Sequence, residues 1–166
     1  AAGAHARKIL LAVGGSATVD GGVGAASALG WRFLDYHKIP IGPVGGELGR
    51  LELIERVESV VLPPVEVLCD VEHPLCGEHG AARVFGPQKG ATPAMVARLE
   101  AGLQRLADVV ETTLGCRIHD LPGGGAAGGL AAGAVAFMGA ELVSGVDAVV
   151  AATRLDEVLR GADWVI

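Results

Sequence analysis

Two glycine-rich stretches constrain this chain more than any other feature: GGSATVDGG at positions 14–22 and PGGGAAGG at 122–129. Glycine inside a helix or strand costs roughly 0.5–1 kcal/mol relative to alanine. Such runs therefore mark places where main chain turns sharply or comes very close to something else. Nine of the 26 glycines fall in these two stretches and the whole set follows no fixed repeat, which excludes collagen-like and low-complexity chains. The first stretch follows the apolar run KILLAV (Lys8 to Val13), read as a buried strand, and precedes the small-residue run VGAASAL (Val23 to Leu29), read as a helix start packed closely on a sheet.

The rest of the chain alternates in the same way. Gly30 ends that helix, and Trp31 to Leu34 suit a short strand. Residues 35–50 read as a turn-rich excursion, and Leu51 to Val61 fit helix or strand equally. Val65 to Val71 (VEVLCDV) read as a second strand with Asp70 near its end, followed by a long connection over 72–92. Thr92-Pro93 is a helix start, a hydroxyl cap with proline at the first helical position. Apolar residues at 95, 96, 99, 103, 106 and 110 then carry an amphipathic helix to Leu114, closed by Gly115. The second glycine stretch runs into an Ala-rich helix through Phe137. Glu141 to Val143 read as strand, Val146 to Leu159 as a helix broken near Thr153, and Ala162 to Ile166 as a final strand. These elements predict an α/β domain over residues 1–166: a layered sheet with flanking helices, parallel or mixed strands, and glycine-rich loops at strand ends. A chain ending on such a run is expected to be a fragment of a longer one.

Composition narrows function mainly by exclusion. Net charge is −6 with Lys and Arg scattered, against the basic stripe that a nucleic-acid binder needs. No apolar run reaches the roughly 18–20 residues of a membrane span, and the start AAGAHARKILLAV lacks the form of a signal peptide. Three cysteines cannot all pair, so a reducing cytoplasm is the expected setting.

Candidate chemistry gathers on the loops. In the first stretch, main-chain amides of Gly14 and Gly15 can approach an anion, and Ser16 and Thr18 add hydroxyl donors. Asp20 could take a hydroxyl proton or hold a metal ion; it could equally cap the next helix. Asp70, at a strand end, is either a crevice carboxylate or a turn cap. Lys89 in FGPQKG sits between turn formers, where it could clamp a carboxylate or phosphate or simply face solvent. Gly123, Gly125 and Gly128 spell a formal G-x-G-x-x-G, but no strand leads in and no acidic residue follows at the ribose-binding distance. A glycine wall beside a ligand, or tight packing of helix on sheet, suits Gly123, Gly124, Gly125 and Gly128 better. Cys69, His73, Cys76 and His79 lack the spacing of a common zinc site. No Walker-type G-x-x-x-x-G-K-[ST] occurs.

In order, the segments GGSATVDGGVGAASALG, VLCDVEHPL, GAARVFGPQKGAT, PGGGAAGGLAAG and GADWVI resemble the bacterial glycerate kinase family. The resemblance implies a two-domain enzyme of which this chain is the central inserted domain without most of the other lobe. It implies magnesium-assisted transfer of the γ-phosphoryl group of ATP to a hydroxyl of D-glycerate. It further implies site positions at Gly14, Gly15, Ser16, Thr18 and Asp20, at Asp70, at Lys89, and at Gly123 to Gly129. Where other members have Asn after the Thr of the first motif, this chain has Val19. The alternative is a non-catalytic α/β ligand-binding or scaffold domain.

Overall fold

A computed structural model describes residues 6–58 and 60–164. The core of the architecture is a three-stranded parallel sheet, ordered β1 (Ile9–Ala12), β4 (Val65–Leu68), β5 (Glu141–Val143). Ile9 pairs with Val65, and Val67 with Leu142. Parallel pairing needs long crossovers, and both crossovers here carry most of the chain. The first holds α1 (Val23–Ala28) and an antiparallel hairpin of β2 (Trp31–Leu34) and β3 (Leu53–Arg56). The second holds α2 (Ala81–Phe85), the 22-residue α3 (Pro93–Leu114) and α4 (Leu130–Met138). After β5 come α5 (Gly145–Thr153) and α6 (Leu155–Leu159). No described helix is long and apolar enough to cross a membrane.

Long α3 forms as its local signals predict. Thr92 Oγ1 accepts the Met95 amide at 3.3 Å, and Gly115 closes the helix at φ 66°. Its buried face brings Leu103, Leu106 and Val110, each with no exposed surface, onto the turn Gly45–Arg50 and the hairpin. Burying one such side chain contributes about 1.5–3 kcal/mol. The hairpin docks on α4 through Trp31, whose Nε1 donates to the Phe137 carbonyl at 3.1 Å, and through ring contacts of Trp31 and Phe33 with Phe137. A second, smaller cluster sets Val65 and Val67 of the sheet against Ala131 and Ala134 of α4.

The structure departs from the sequence reading in three places and resolves a fourth that was open. α1 packs chiefly on α4 and β2 rather than on the parallel sheet. A Cβ at Gly22 would lie 3.3 Å from Gly133 Cα, so the small residues serve a close helix–helix crossing. The connection 72–92 contains α2 and a turn of 3-10 helix at Pro87–Lys89, too short to show a helical period. Within the ambiguous stretch 51–61, Leu53–Arg56 becomes a strand because β2 supplies its partner. Ala162 to Trp164 form no strand; Val165 and Ile166 lie outside the described residues.

Candidate functional site

Because β1, β4 and β5 are parallel, their carboxyl ends share one edge of the sheet, the side where open α/β sheets bind ligands. The segment after β1 is the first glycine stretch. A Cβ on Gly14 or Gly15 would meet nothing within 4 Å, and Gly15 adopts φ 66°. Among the described residues, no main-chain amide from Gly14 to Thr18 donates to a main-chain carbonyl. Buried amides are nearly always paired; these belong to exposed or half-buried residues, where water or an anion can satisfy them.

Lys89 reaches this loop from the opposite wall. Its Nζ donates to Ser16 Oγ and to the Thr18 carbonyl, each at 2.7 Å. Burial lowers the Lys89 pKa, and the Asp20 charge works against that fall. Between loop and lysine lies a hollow of about 180 Å³, lined by Val13, Gly15, Ser16, Lys89, Ala126 and Ala127 among others. Of the groups singled out from sequence, the structure thus brings Gly15, Ser16 and Lys89 to one cavity.

Asp20 sits beneath the loop, 9% exposed. Its Oδ1 accepts the Gly22 amide at 3.0 Å and its Oδ2 the Gly24 amide at 3.4 Å, with Thr18 Oγ1 3.5 Å from Oδ1. The carboxylate thus fixes the turn into α1 and faces Lys89 as a counter-charge. Val19 is buried in the main core, which explains why an apolar side chain is accommodated at that position.

The second glycine stretch meets the first directly. Gly21 N donates to the Gly128 carbonyl at 3.0 Å. Its glycines are spent on main-chain packing rather than on an open wall. A Cβ at Gly128 would lie 2.0 Å from the Thr18 carbonyl oxygen, at Gly125 2.3 Å from that of Pro74, at Gly124 2.9 Å from that of Leu121, and at Gly123 3.1 Å from that of Val71. The surface toward the hollow is given by Ala126 and Ala127, the latter at φ 53°.

Asp70 lies on the other side of the β1 loop from Lys89 and lines a different, apolar hollow. Its Oδ1 accepts the amides of Gly145 (2.9 Å) and Val146 (3.2 Å) and the Ser144 hydroxyl (3.3 Å), capping α5. No group of three metal-binding side chains occurs among the described residues. Cys69 Sγ donates to the carbonyls of Val71 and Gly123, and His73 Nδ1 lies 3.2 Å from the His79 carbonyl, so no zinc cluster forms there. Magnesium fits the Lys89 hollow poorly: among the described residues no carboxylate lines it, and both oxygens of nearby Asp20 already face main-chain amides.

Sequence reasoning missed Val13, Val71, Phe85 and Gln88 as lining residues. Phe85 and Gln88 stand in the FGPQKG segment beside Lys89, which is the only sequence signal they carry.

All of residues 1–166 match the model of the glycerate kinase family. The chain belongs to the glycerate kinase family. It is 47% identical over 165 residues to a glycerate kinase of Halalkalibacterium halodurans, covering 96% of this chain and 43% of that protein. It is 42% identical to a glycerate 2-kinase of Escherichia coli, covering 97% of this chain and 43% of that one. A crystal structure assigned to glycerate kinase 2 of Salmonella typhimurium LT2 superposes with a TM-score of 0.86 at 43% identity, over 95% of this chain and 43% of that one. The chain therefore spans less than half the length of the glycerate kinases it matches. The likeness extends the α/β architecture expected from the alternating pattern to a solved member of the family.

Proposed function

We propose that this chain forms the phosphoryl-handling wall of an ATP-dependent kinase that phosphorylates a hydroxyl of D-glycerate. The observation that carries the reading is the Lys89 ammonium held by Ser16 Oγ and the Thr18 carbonyl beside a glycine loop whose amides lack main-chain partners. Phosphoryl transfer passes through a loose transition state with charge spread over the transferred oxygens, so catalysis is mainly positioning and charge stabilisation. Lys89 supplies a point charge and the loop amides supply fixed dipoles, both at the mouth of β1. The acceptor oxygen bonds to the γ-phosphorus as the bond to the bridging oxygen of ADP breaks, and the hydroxyl proton passes to solvent water. Asp20 keeps the loop in shape and favours the charged lysine; it acts as a positioning residue.

The test is turnover of ATP and D-glycerate by the intact protein that contains this chain. Loss of one hydrogen bond to a charged group costs about 1.5–3 kcal/mol. Lys89→Ala is thus expected to lower kcat/KM by roughly 10–150-fold. Wild-type turnover in that variant would remove Lys89 from the reaction, and no turnover in the wild type would end the kinase reading.

A further inference from the structure

A second hollow adjoins the same glycine loop. It measures about 470 Å³ and is lined by Gly14, Leu68, Asp70, Val146, Val149 and Leu155, among others. Val13 borders both cavities, so the β1 loop is the partition between them. The two differ in kind. The Lys89 hollow is small and cationic. Its neighbour is walled by aliphatic side chains, Val146 and Val149 among them, and its size falls in the range of about 300–1,000 Å³ typical of small-molecule sites.

Among the described residues its one charged lining group is Asp70, whose two oxygens have separate fates. Oδ1 takes three hydrogen bonds from the start of α5, while Oδ2 accepts none among the described residues. A Cβ at position 145 would lie 2.6 Å from Oδ2, so glycine there leaves that oxygen uncovered. A carboxylate locked by one oxygen and open at the other is a fixed acceptor for neighbouring hydroxyls.

A phosphoryl donor is built to match this pair of cavities: an apolar planar base, a ribose with hydroxyls, and an anionic tail. We propose that the Val149 hollow binds the nucleoside of the donor nucleotide. Asp70 Oδ2 accepts a ribose hydroxyl, and the phosphates cross the Gly14–Gly15 loop into the Lys89 hollow. This assignment rests on the kinase reading above and gives Asp70 a binding role rather than a chemical one. Aliphatic walls contribute through apolar area, and the base lies over Val146 and Val149.

Equilibrium dialysis of the intact protein with ATP and, separately, with glycerate tests it. Val149→Arg fills the hollow from an exposed position. It is expected to weaken ATP binding at least tenfold and to leave glycerate binding within twofold. Val146→Arg serves as the second variant if Val149→Arg fails to fold by circular dichroism. Dideoxy-ATP, which lacks both ribose hydroxyls, is expected to bind wild type at least fivefold more weakly than ATP, and Asp70→Asn to shrink that gap. If wild type binds both ligands while the arginine variants and the ribose deletion leave ATP affinity unchanged, the assignment is overturned and the kinase reading survives. If wild type binds neither ligand, both fall together.

Discussion

Replacing Gly128 by alanine probes the junction on which the Lys89 hollow depends. The residue has φ 68°, and a Cβ there would lie 2.0 Å from the Thr18 carbonyl oxygen and 2.8 Å from Val19 Cα. Two costs follow. Holding a non-glycine residue in the left-handed region costs about 1–2 kcal/mol. The obstructing atoms belong to main chain and cannot rotate away, so the two loops must separate, an overpacking cost of about 1–3 kcal/mol. Together Gly128→Ala should destabilise the fold by about 2–5 kcal/mol. Gly90→Ala provides the control, because Gly90 has φ 88° but its Cβ would meet nothing within 4 Å. It should cost only the conformational part, about 1–2 kcal/mol. Urea unfolding can follow the fluorescence of Trp31, which is 8% exposed and in tilted ring contact with Phe137, once the exposed Trp164 is replaced by Phe. Separating the loops also moves the Thr18 carbonyl, an acceptor for Lys89 Nζ, so anion binding should weaken in Gly128→Ala and not in Gly90→Ala. Equal destabilisation by the two substitutions would refute the contact between the glycine stretches.

Two further predictions concern titration and reactivity. Burial lowers the Lys89 pKa below the ordinary 10.5, so affinity for inorganic phosphate should begin to fall at a lower pH than an ordinary lysine would dictate; Lys89→Arg, charged throughout, should flatten that profile. The effect on folding has the opposite sign: the folded chain releases this proton more readily than the unfolded one, so stability rises with pH from the lowered value up to 10.5. Cys76 has its pKa pushed up to about 12, by burial first and then by the charges of Glu100 and Asp108. In native protein at about pH 8 it should resist iodoacetamide until urea unfolds the chain, and labelling at the rate of a free thiol would contradict its burial.

What could be read from the sequence is what local chemistry determines. Thr92-Pro93 and Gly115 mark α3 because cap and proline act on their immediate neighbours. The break near Thr153 is equally local, and Arg154 there takes φ 50°. β3 was hidden because nothing in LIER prefers a strand until β2 pairs with it. α2 was hidden because five residues are too few for a period. The approach of Lys89 to Ser16 spans 73 positions, a separation that no motif spacing encodes. The family resemblance named both residues, but their meeting is a property of the fold. For Asp20 and Asp70 the capping alternatives describe their hydrogen bonds well, since each carboxylate binds amides at the start of a helix.

The two glycine stretches look alike in sequence and do opposite things in space, and that difference can be measured. Glycine signals a need for closeness, without saying whether the close partner is ligand or protein. Gly14 has ordinary φ and open space around its missing Cβ, whereas Gly125 would press a Cβ to 2.3 Å from the Pro74 carbonyl oxygen. Gly14→Ala should therefore fold as well as wild type, or better by about 0.4–1 kcal/mol through reduced entropy of the unfolded chain. Its methyl group would still obstruct an anion settling on the loop amides, so nucleotide and phosphate affinity should fall. Gly125→Ala should behave in reverse, losing about 1–3 kcal/mol of stability to overpacking while folded molecules still bind. Denaturation midpoints and phosphate titrations on both variants separate the cases. If Gly14→Ala bound phosphate as wild type does, the open glycines would be serving the turn alone, and the anion would have to be held elsewhere.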